Sequence, residues 1–242
     1  MGTPLDIREH GTVIRFDADT LPTMEPRLFD ADWLKDNQLW LGSAEGRGQA
    51  HFLRYADSDM VLRHFQRGGL VGRVIRDQFF RFGAVKSRAF REFDLLCEMR
   101  AAGLMVPRPL AARYAPSGLL YRAAIITERI PNAKTLQEIL CNIPLQAPTW
   151  GAIGAAIKQM HNHSVFHSDL NCRNIMIDAD ENVWIIDFDK CETRTPGNWM
   201  QGNLDRLLRS LRKTAGQVPN LHWNEADWAI LMAGYSDQGE TA

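Results

Sequence analysis

One stretch past the middle of the chain restricts it more than any other. His167-Ser168-Asp169-Leu170-Asn171-Cys172-Arg173-Asn174 is followed, after residues 175–186, by Asp187-Phe188-Asp189. The intervening residues read as two short apolar strands, IMID and VWII, around a turn at Ala179-Asp180-Glu181-Asn182. So tight a hairpin brings the loop before its first strand beside the loop after its second, and Asp169, Asn174 and Asp187 then converge. Asn174 offers a neutral amide oxygen and Asp187 a carboxylate, which suits Mg²⁺, an ion that takes few protein oxygens and fills the rest with water and phosphate. Asp169 is left to orient and deprotonate a hydroxyl attacking phosphorus. Taken singly, each is an ordinary turn or strand-end residue. In this order they suit a divalent metal and a proton acceptor side by side.

Composition bounds the remainder. With 242 residues, 45% hydrophobic and 24% charged, the chain has ample apolar surface for a core and suits one large domain or two closely packed lobes. A net charge of -1 and a pI of about 6.7 give no sign of a nucleic-acid partner. Cys97, Cys141, Cys172 and Cys191 have no zinc-site spacing and read as reduced thiols of a cytosolic protein. The N-terminus lacks a signal-peptide pattern, and no apolar run approaches the roughly 18 residues that span a bilayer. Secreted and membrane-spanning classes are therefore not expected.

The expected fold class is α+β. Residues 1–38 read as an irregular lead-in. From Leu39 the pattern is strand, glycine-bearing turn, strand, a second turn at Ala56-Asp57-Ser58-Asp59, and a third strand. A helix follows with Phe90, Phe93, Cys97 and Ala101 on one stripe and Gly103 as its stop. Val106-Pro107-Arg108-Pro109 is not helical, and Tyr121 to Ile130 reads as a buried strand. In the second half, Thr149 is expected to cap a helix carrying Trp150, Ile153, Ile157, Met160 and His161 on one face. A last helix, expected to begin at Leu204, aligns Leu204, Leu207, Leu208 and Leu211. This organisation predicts a strand-rich lobe over residues 1–126, a helix-rich lobe over 127–242, and a ligand cleft between them.

The ordered loop and tripeptide resemble the catalytic loop and metal-binding tripeptide of the protein-kinase-like fold. More specifically, LRHFQRGGLVGR, RAFREF, HSDLNCRNIMID, WIIDFDK and TRTPGNWMQGNLDRLLRSLRK are similar to the 3-deoxy-D-manno-octulosonic acid (Kdo) kinases, a family of lipopolysaccharide kinases. The resemblance runs from about residue 40 to residue 213. It implies a bilobal kinase-like fold and an enzyme that phosphorylates the 4-hydroxyl of a Kdo sugar on a lipid A precursor, with ATP as donor and Mg²⁺ as cofactor. It also implies a cytoplasmic protein, peripheral on the inner membrane. Carried over by position, Asp169 is the catalytic base, Asn174 and Asp187 the metal ligands, and Glu92 the helix carboxylate that pairs with a strand cation. That cation is Arg63 here, where typical protein kinases have Lys, and guanidinium is larger and forked. Arg63 has two readings, a solvated strand residue or, paired with Glu92, a clamp on the nucleotide phosphates. Gly42, Gly46 and Gly48 fall where a phosphate-covering loop belongs, with Gly46 and Gly48 expected at the ATP, although their spacing also suits a plain hairpin. His167 is expected to be structural, tying the catalytic loop to the Asp187 segment.

Two features bear on the acceptor. Arg67, Arg73, Arg76, Arg81, Lys86 and Arg88 cluster against one acid, Asp77, while Arg206, Arg209, Arg212 and Lys213 crowd the last helix. Such segregation suits an anionic glycolipid acceptor and an anionic membrane surface. The chain also lacks an Ala-Pro-Glu motif and a long segment after Asp189, which argues for a sugar or lipid hydroxyl over a protein side chain. A heptose kinase, another small-molecule kinase and a pseudokinase binding module are the alternatives. Retention of Asn174 favours Kdo over heptose, and retention of all three oxygen-bearing residues opposes a pseudokinase.

Overall fold

A computed structural model describes residues 2–44, 50–65, 79–80 and 83–237. The chain is mixed α+β and divides into two compact units, Met1–Glu98 with Pro107–Arg129, and Met99–Val106 with Ile130–Ala242. Among the described residues no helix is long and apolar enough to cross a membrane.

The first unit is built on an eight-stranded antiparallel sheet. Its strands are β1 (Leu5–Glu9), β2 (Thr12–Phe16), β3 (Trp40–Ala44), β4 (Ala50–Tyr55), β5 (Ser58–His64), β6 (Phe79–Phe80), β7 (Pro109–Ser117) and β8 (Leu120–Glu128). They run β1-β2-β7-β8-β5-β4-β3, with β6 on β8. The expected irregular lead-in is instead a hairpin followed by a cover for the sheet. His10 and Gly11 take φ of 47° and 82°, the left-handed pair that a two-residue hairpin turn requires. The strand signal of β1 is weak because all but Ile7 are exposed, so it has no apolar face to read. Residues 17–36 then bring Leu21, Met24, Leu28, Phe29 and, from helix α1 (Ala31–Asp36), Leu34 into one buried cluster with Leu53, Met60, Leu62 and Ile126 of the strands. Because side chains alternate along a strand, burying Met60 and Leu62 in that cluster turns Arg63 toward the opposite face.

Helix α2 (Arg88–Ala101) packs its own stripe inward. Ser87 Oγ accepts from the Phe90 amide at 3.4 Å at its start, and Gly103 (φ 81°) ends it where expected. The buried residues are Ala89, Phe90, Glu92, Phe93, Leu95, Leu96 and Met99, whereas Cys97 is half-buried and Ala101 exposed, so the face is rotated from the expected stripe. Arg15 of β2 fixes the helix by a paired contact to Asp94, 2.9 and 3.0 Å, and stacks over Phe90 at 4.7 Å.

The second unit contains β9 (Lys134–Thr135), α3 (Leu136–Leu140), α4 (Ala147–Asn162), β10 (Val165–Phe166), β11 (Ile175–Ile177), β12 (Val183–Ile185), β13 (Glu192–Thr193), α5 (Trp199–Ala215) and α6 (Glu225–Ser236). Helix α4 starts at Ala147 and is not capped by Thr149. Pro148 sits in its first turn, where a missing amide costs nothing and φ is preset, and Thr149 lies buried one residue further in. The expected apolar face of α4 is observed, with Trp150, Ile153, Ile157, Met160 and His161 buried. Helix α5 begins at Trp199, five positions before the expected start, and buries Leu204, Leu207 and Leu211 while Leu208 is half-buried.

Helices α4 and α6 meet backbone to backbone. A Cβ at Gly154 would collide with the Leu231 carbonyl, and one at Gly234 with the backbone of Gly151. Gly→Ala inside a helix ordinarily stabilises by about 0.5–1 kcal/mol. We expect Gly154→Ala to do the reverse, lowering the unfolding free energy by about 1–3 kcal/mol through overpacking, as read from urea denaturation. A neutral or stabilising result would mean that the two helices are not in this contact.

Candidate active site

The second unit carries the convergent loops. Strands β11 and β12 pair in the register Ile175↔Ile185 and Ile177↔Val183, and the Ile186 amide donates to the Asn174 carbonyl at 3.0 Å. Asn174 and Asp187 therefore leave the hairpin at the same end. The turn at its far end is closed by Asp178, which accepts from the Asp180 and Asn182 amides at 3.0 and 2.9 Å and from Trp184 Nε1 at 2.8 Å.

His167 joins the loops. Its ring is fully buried. Nε2–H donates to the Ile186 carbonyl at 3.1 Å and Nδ1 accepts from the Asp169 amide at 3.1 Å, while the ring meets Phe188 edge-on at 4.9 Å. Burial pushes its pKa down, outweighing the Ile186 hydrogen bond and the nearby Asp187 and Asp169 charges that raise it. The ring is thus a neutral tether between the two loops, the connection expected of it. Asp169 receives two further bonds at its carbonyl, from Asn171 Nδ2 at 2.8 Å and Asn174 Nδ2 at 2.9 Å. Ser168 Oγ donates to the Asp189 carbonyl at 2.7 Å, a second tie between the loops.

The chemistry of the donor set fits a hard divalent cation. Since the Asn174 nitrogen is engaged by Asp169, its amide oxygen is the atom left to coordinate. Asp187 has φ of 64°, a left-handed conformation that costs about 1–3 kcal/mol and recurs where a side chain must be aimed; its Oδ1 is buried. No cluster of three or more His, Cys, Asp or Glu side chains arranged for a metal occurs among the described residues, so an ion bound here would depend on water and phosphate for most of its shell.

Helix α5 contributes two residues that the sequence reading missed in this role. Asn203 is buried, donates to the His167 carbonyl at 2.8 Å and accepts from the His167 amide at 3.1 Å. The signal was present, since Asn203 lies in phase with Leu207 and Leu211 on the apolar stripe, where an amide has no reason to be unless it is bonded. His161 Nε2 also reaches Asn203 Oδ1 at 3.3 Å, and its Nδ1 accepts from the Tyr235 hydroxyl at 2.8 Å. Arg206 pairs with Asp169, Nη1 to Oδ1 at 3.1 Å. Arg212 is held by Glu225 in a forked contact of 2.8 and 3.0 Å. The basic run on this helix is therefore partly neutralised within the unit, leaving Arg209 and Lys213 exposed without an ion pair among the described residues.

In the first unit Arg63 of β5 hydrogen-bonds Glu92 of α2, with the carboxylate buried and the guanidinium about a quarter exposed. Arg63 also stacks over Phe65 at 5.0 Å. Such an arrangement is not that of a solvated strand residue. Gly42 lies in β3 at a register shift against β4, with φ of 142°. Gly46 and Gly48, together with Arg67, Arg73, Arg76 and Arg81, fall outside the described residues.

Comparison with known proteins adds an independent line. Residues 31–235 match the model of the lipopolysaccharide kinase (Kdo/WaaP) family. A 3-deoxy-D-manno-octulosonic acid kinase of Vibrio parahaemolyticus is 42% identical over 229 residues, covering 95% of this chain and 96% of that protein. Proteins of the same name from Vibrio cholerae, 41% identical over 90% of this chain and 92% of the relative, and from Haemophilus influenzae, 38% identical over 91% and 94%, are similar along almost their whole length.

Two outcomes follow from the buried polar network. Asn203→Ala strips a donor and an acceptor from the His167 backbone, and each buried group left unpaired costs about 1–3 kcal/mol. Urea denaturation should therefore show a loss of at least about 2 kcal/mol, and a loss under about 0.5 kcal/mol would contradict the network. His161 is lowered from 6.5 to about 4, chiefly by burial. Its unfolded form takes up a proton first, so stability present above about pH 6.5 is lost as pH falls toward about 4. His161→Gln should flatten that part of the stability–pH curve, and an unchanged slope would contradict a buried neutral ring.

Proposed function

Because the chain belongs to the lipopolysaccharide kinase (Kdo/WaaP) family, we propose that it transfers the γ-phosphoryl group of ATP to the 4-hydroxyl of a Kdo sugar on a lipid A precursor. The observation that carries this reading is the pairing of an acceptor-side carboxylate on a fixed main chain, Asp169, with a neighbouring amide and carboxylate, Asn174 and Asp187, on loops locked together through His167. The kinships to proteins named for Kdo support the acceptor. The α+β architecture is read as a protein-kinase-like fold whose sheet unit and helical unit correspond to the two lobes.

Asp169 holds the acceptor hydroxyl in line with the γ-phosphorus and accepts its proton as the new P–O bond forms and the bond to ADP breaks. Asn174 and Asp187 are the residues that would hold Mg²⁺, which when bound neutralises charge on the phosphate oxygens. Asp187 is aimed by its left-handed backbone, and Asn174 by the Asp169 carbonyl. Arg63, kept in place by the buried Glu92, supplies the nucleotide phosphates with a forked cation in place of the usual Lys. Gly46 and Gly48 are assigned to binding of those phosphates. Most of the acceleration comes from positioning and charge stabilisation, since phosphoryl transfer asks little covalent chemistry of the protein. A peripheral position on the cytoplasmic face of the inner membrane would bring the protein to a glycolipid acceptor, with exposed basic side chains such as Arg209 and Lys213 meeting anionic head groups.

Incubating the protein with ATP, Mg²⁺ and a Kdo-bearing lipid A precursor should add one phosphate to the acceptor, as seen by mass spectrometry; a lipid left unphosphorylated while a heptose-bearing core gained phosphate would reassign the acceptor. Asp169→Ala should lower turnover by about 10²–10⁴-fold while ATP binding persists. Wild-type turnover in that variant would remove Asp169 as the base. Asp187→Ala should abolish the Mg²⁺-dependent part of ATP affinity in calorimetry, and an unchanged dependence would remove it from the metal site.

A further inference from the structure

Asp169 is held unevenly. Its main chain is fixed on both sides, by His167 Nδ1 at its amide and by Asn171 and Asn174 at its carbonyl. Its side chain is 60% exposed, and the ion pair with Arg206 is the one it makes among the described residues. The rotamer of the carboxylate therefore rests on a residue from outside the catalytic loop.

That residue belongs to a stripe. Asn203, Arg206, Ser210 and Thr214 lie at i, i+3, i+7 and i+11 of α5, on one face of the helix. Each meets the loop in order: Asn203 the His167 backbone, Arg206 the Asp169 carboxylate, Ser210 Oγ the Cys172 amide at 3.2 Å, and Thr214 Oγ1 the Cys172 thiol at 3.5 Å. Leucines of the neighbouring face hold the helix in the core. The helix thus works as a splint along the catalytic loop, and Arg206 is its one contact with a reacting side chain.

We propose that Arg206 is a positioning residue for the reaction, holding Asp169 Oδ1 so that Oδ2 faces the acceptor hydroxyl. This rests on the reading of Asp169 as the base. An exposed pair of this kind adds little to stability, so its effect belongs to orientation, where a displacement of about 1 Å costs up to about a hundredfold in rate. A Lys in its place keeps the charge and loses the planar fork. When the acceptor arrives, its proton passes to Oδ2 while Oδ1 stays bound to Arg206.

Steady-state kinetics with ATP and the Kdo-lipid acceptor test this. Arg206→Ala should lower kcat by about ten- to a hundredfold with the KM for ATP within about twofold and the melting temperature unchanged, and Arg206→Lys should recover part of kcat. In an Asp169→Asn background, adding Arg206→Ala should cost nothing more, because the two residues act as a unit. The proposal is overturned if Arg206→Ala retains kcat within about twofold, if its loss multiplies in full onto that of Asp169→Asn, or if a melting-temperature drop accounts for the loss and a folded Arg206→Lys recovers nothing. A wild-type protein that phosphorylated no Kdo acceptor would refute the acceptor reading alone. The same comparison made on ATP hydrolysis, with water as acceptor, would then decide the role of Arg206.

Discussion

A buried imidazole governs the geometry of the candidate site. His167 accepts one backbone amide and donates to one backbone carbonyl, and those two bonds connect the loop of Asp169 to the strand end that carries Asp187. A hydrogen-bonded ring in a dry interior holds its partners more rigidly than an exposed one, because any displaced partner would be left unpaired in low dielectric. The ring does this only while neutral with its proton on Nε2. A proton on Nδ1 would turn the Asp169 amide from a partner into a clash of donors.

The supports around that ring follow one logic. Asn203 satisfies both backbone groups of His167, the Asn174 amide steadies the Asp169 carbonyl, and the Asp187 backbone is held in a conformation seldom used by residues other than glycine. In the first unit the same division of labour recurs, with a buried Glu92 holding a partly exposed Arg63. In both, a group inside the protein fixes a charged group that stays open to solvent, the kind of pre-ordering the proposed chemistry requires.

Much of the site was legible because sequence-local spacing fixes it. The hairpin between Asn174 and Asp187 is so short that its pairing leaves those residues no alternative. What was not legible depends on distant segments. Asn203 and Arg206 reach the loop only because α5 packs beside it, and no local pattern specifies that docking, although an amide on a leucine stripe hints at it. The β1–β2 hairpin was missed because a strand exposed on both faces carries no two-residue apolar period. The starts of α4 and α5 were set too late. The first was assigned to a capping Thr where the helix already begins at Ala147 with Pro148 in its first turn, and the second to a leucine where Trp199 begins it. The strand of Arg63 left its two readings open, and only the resemblance named Glu92, on a helix twenty-nine residues away, as its partner, a pair that the structure contains.

The most direct measurement is the protonation state of His167 by nitrogen-15 NMR on histidine-labelled protein at neutral pH. The structure predicts a neutral ring with the proton on Nε2, slow to exchange, and an unprotonated Nδ1 shifted by its bond from the Asp169 amide. An imidazolium, or a neutral ring with the proton on Nδ1, would contradict the tether between the two loops and the convergence of Asp169, Asn174 and Asp187 with it.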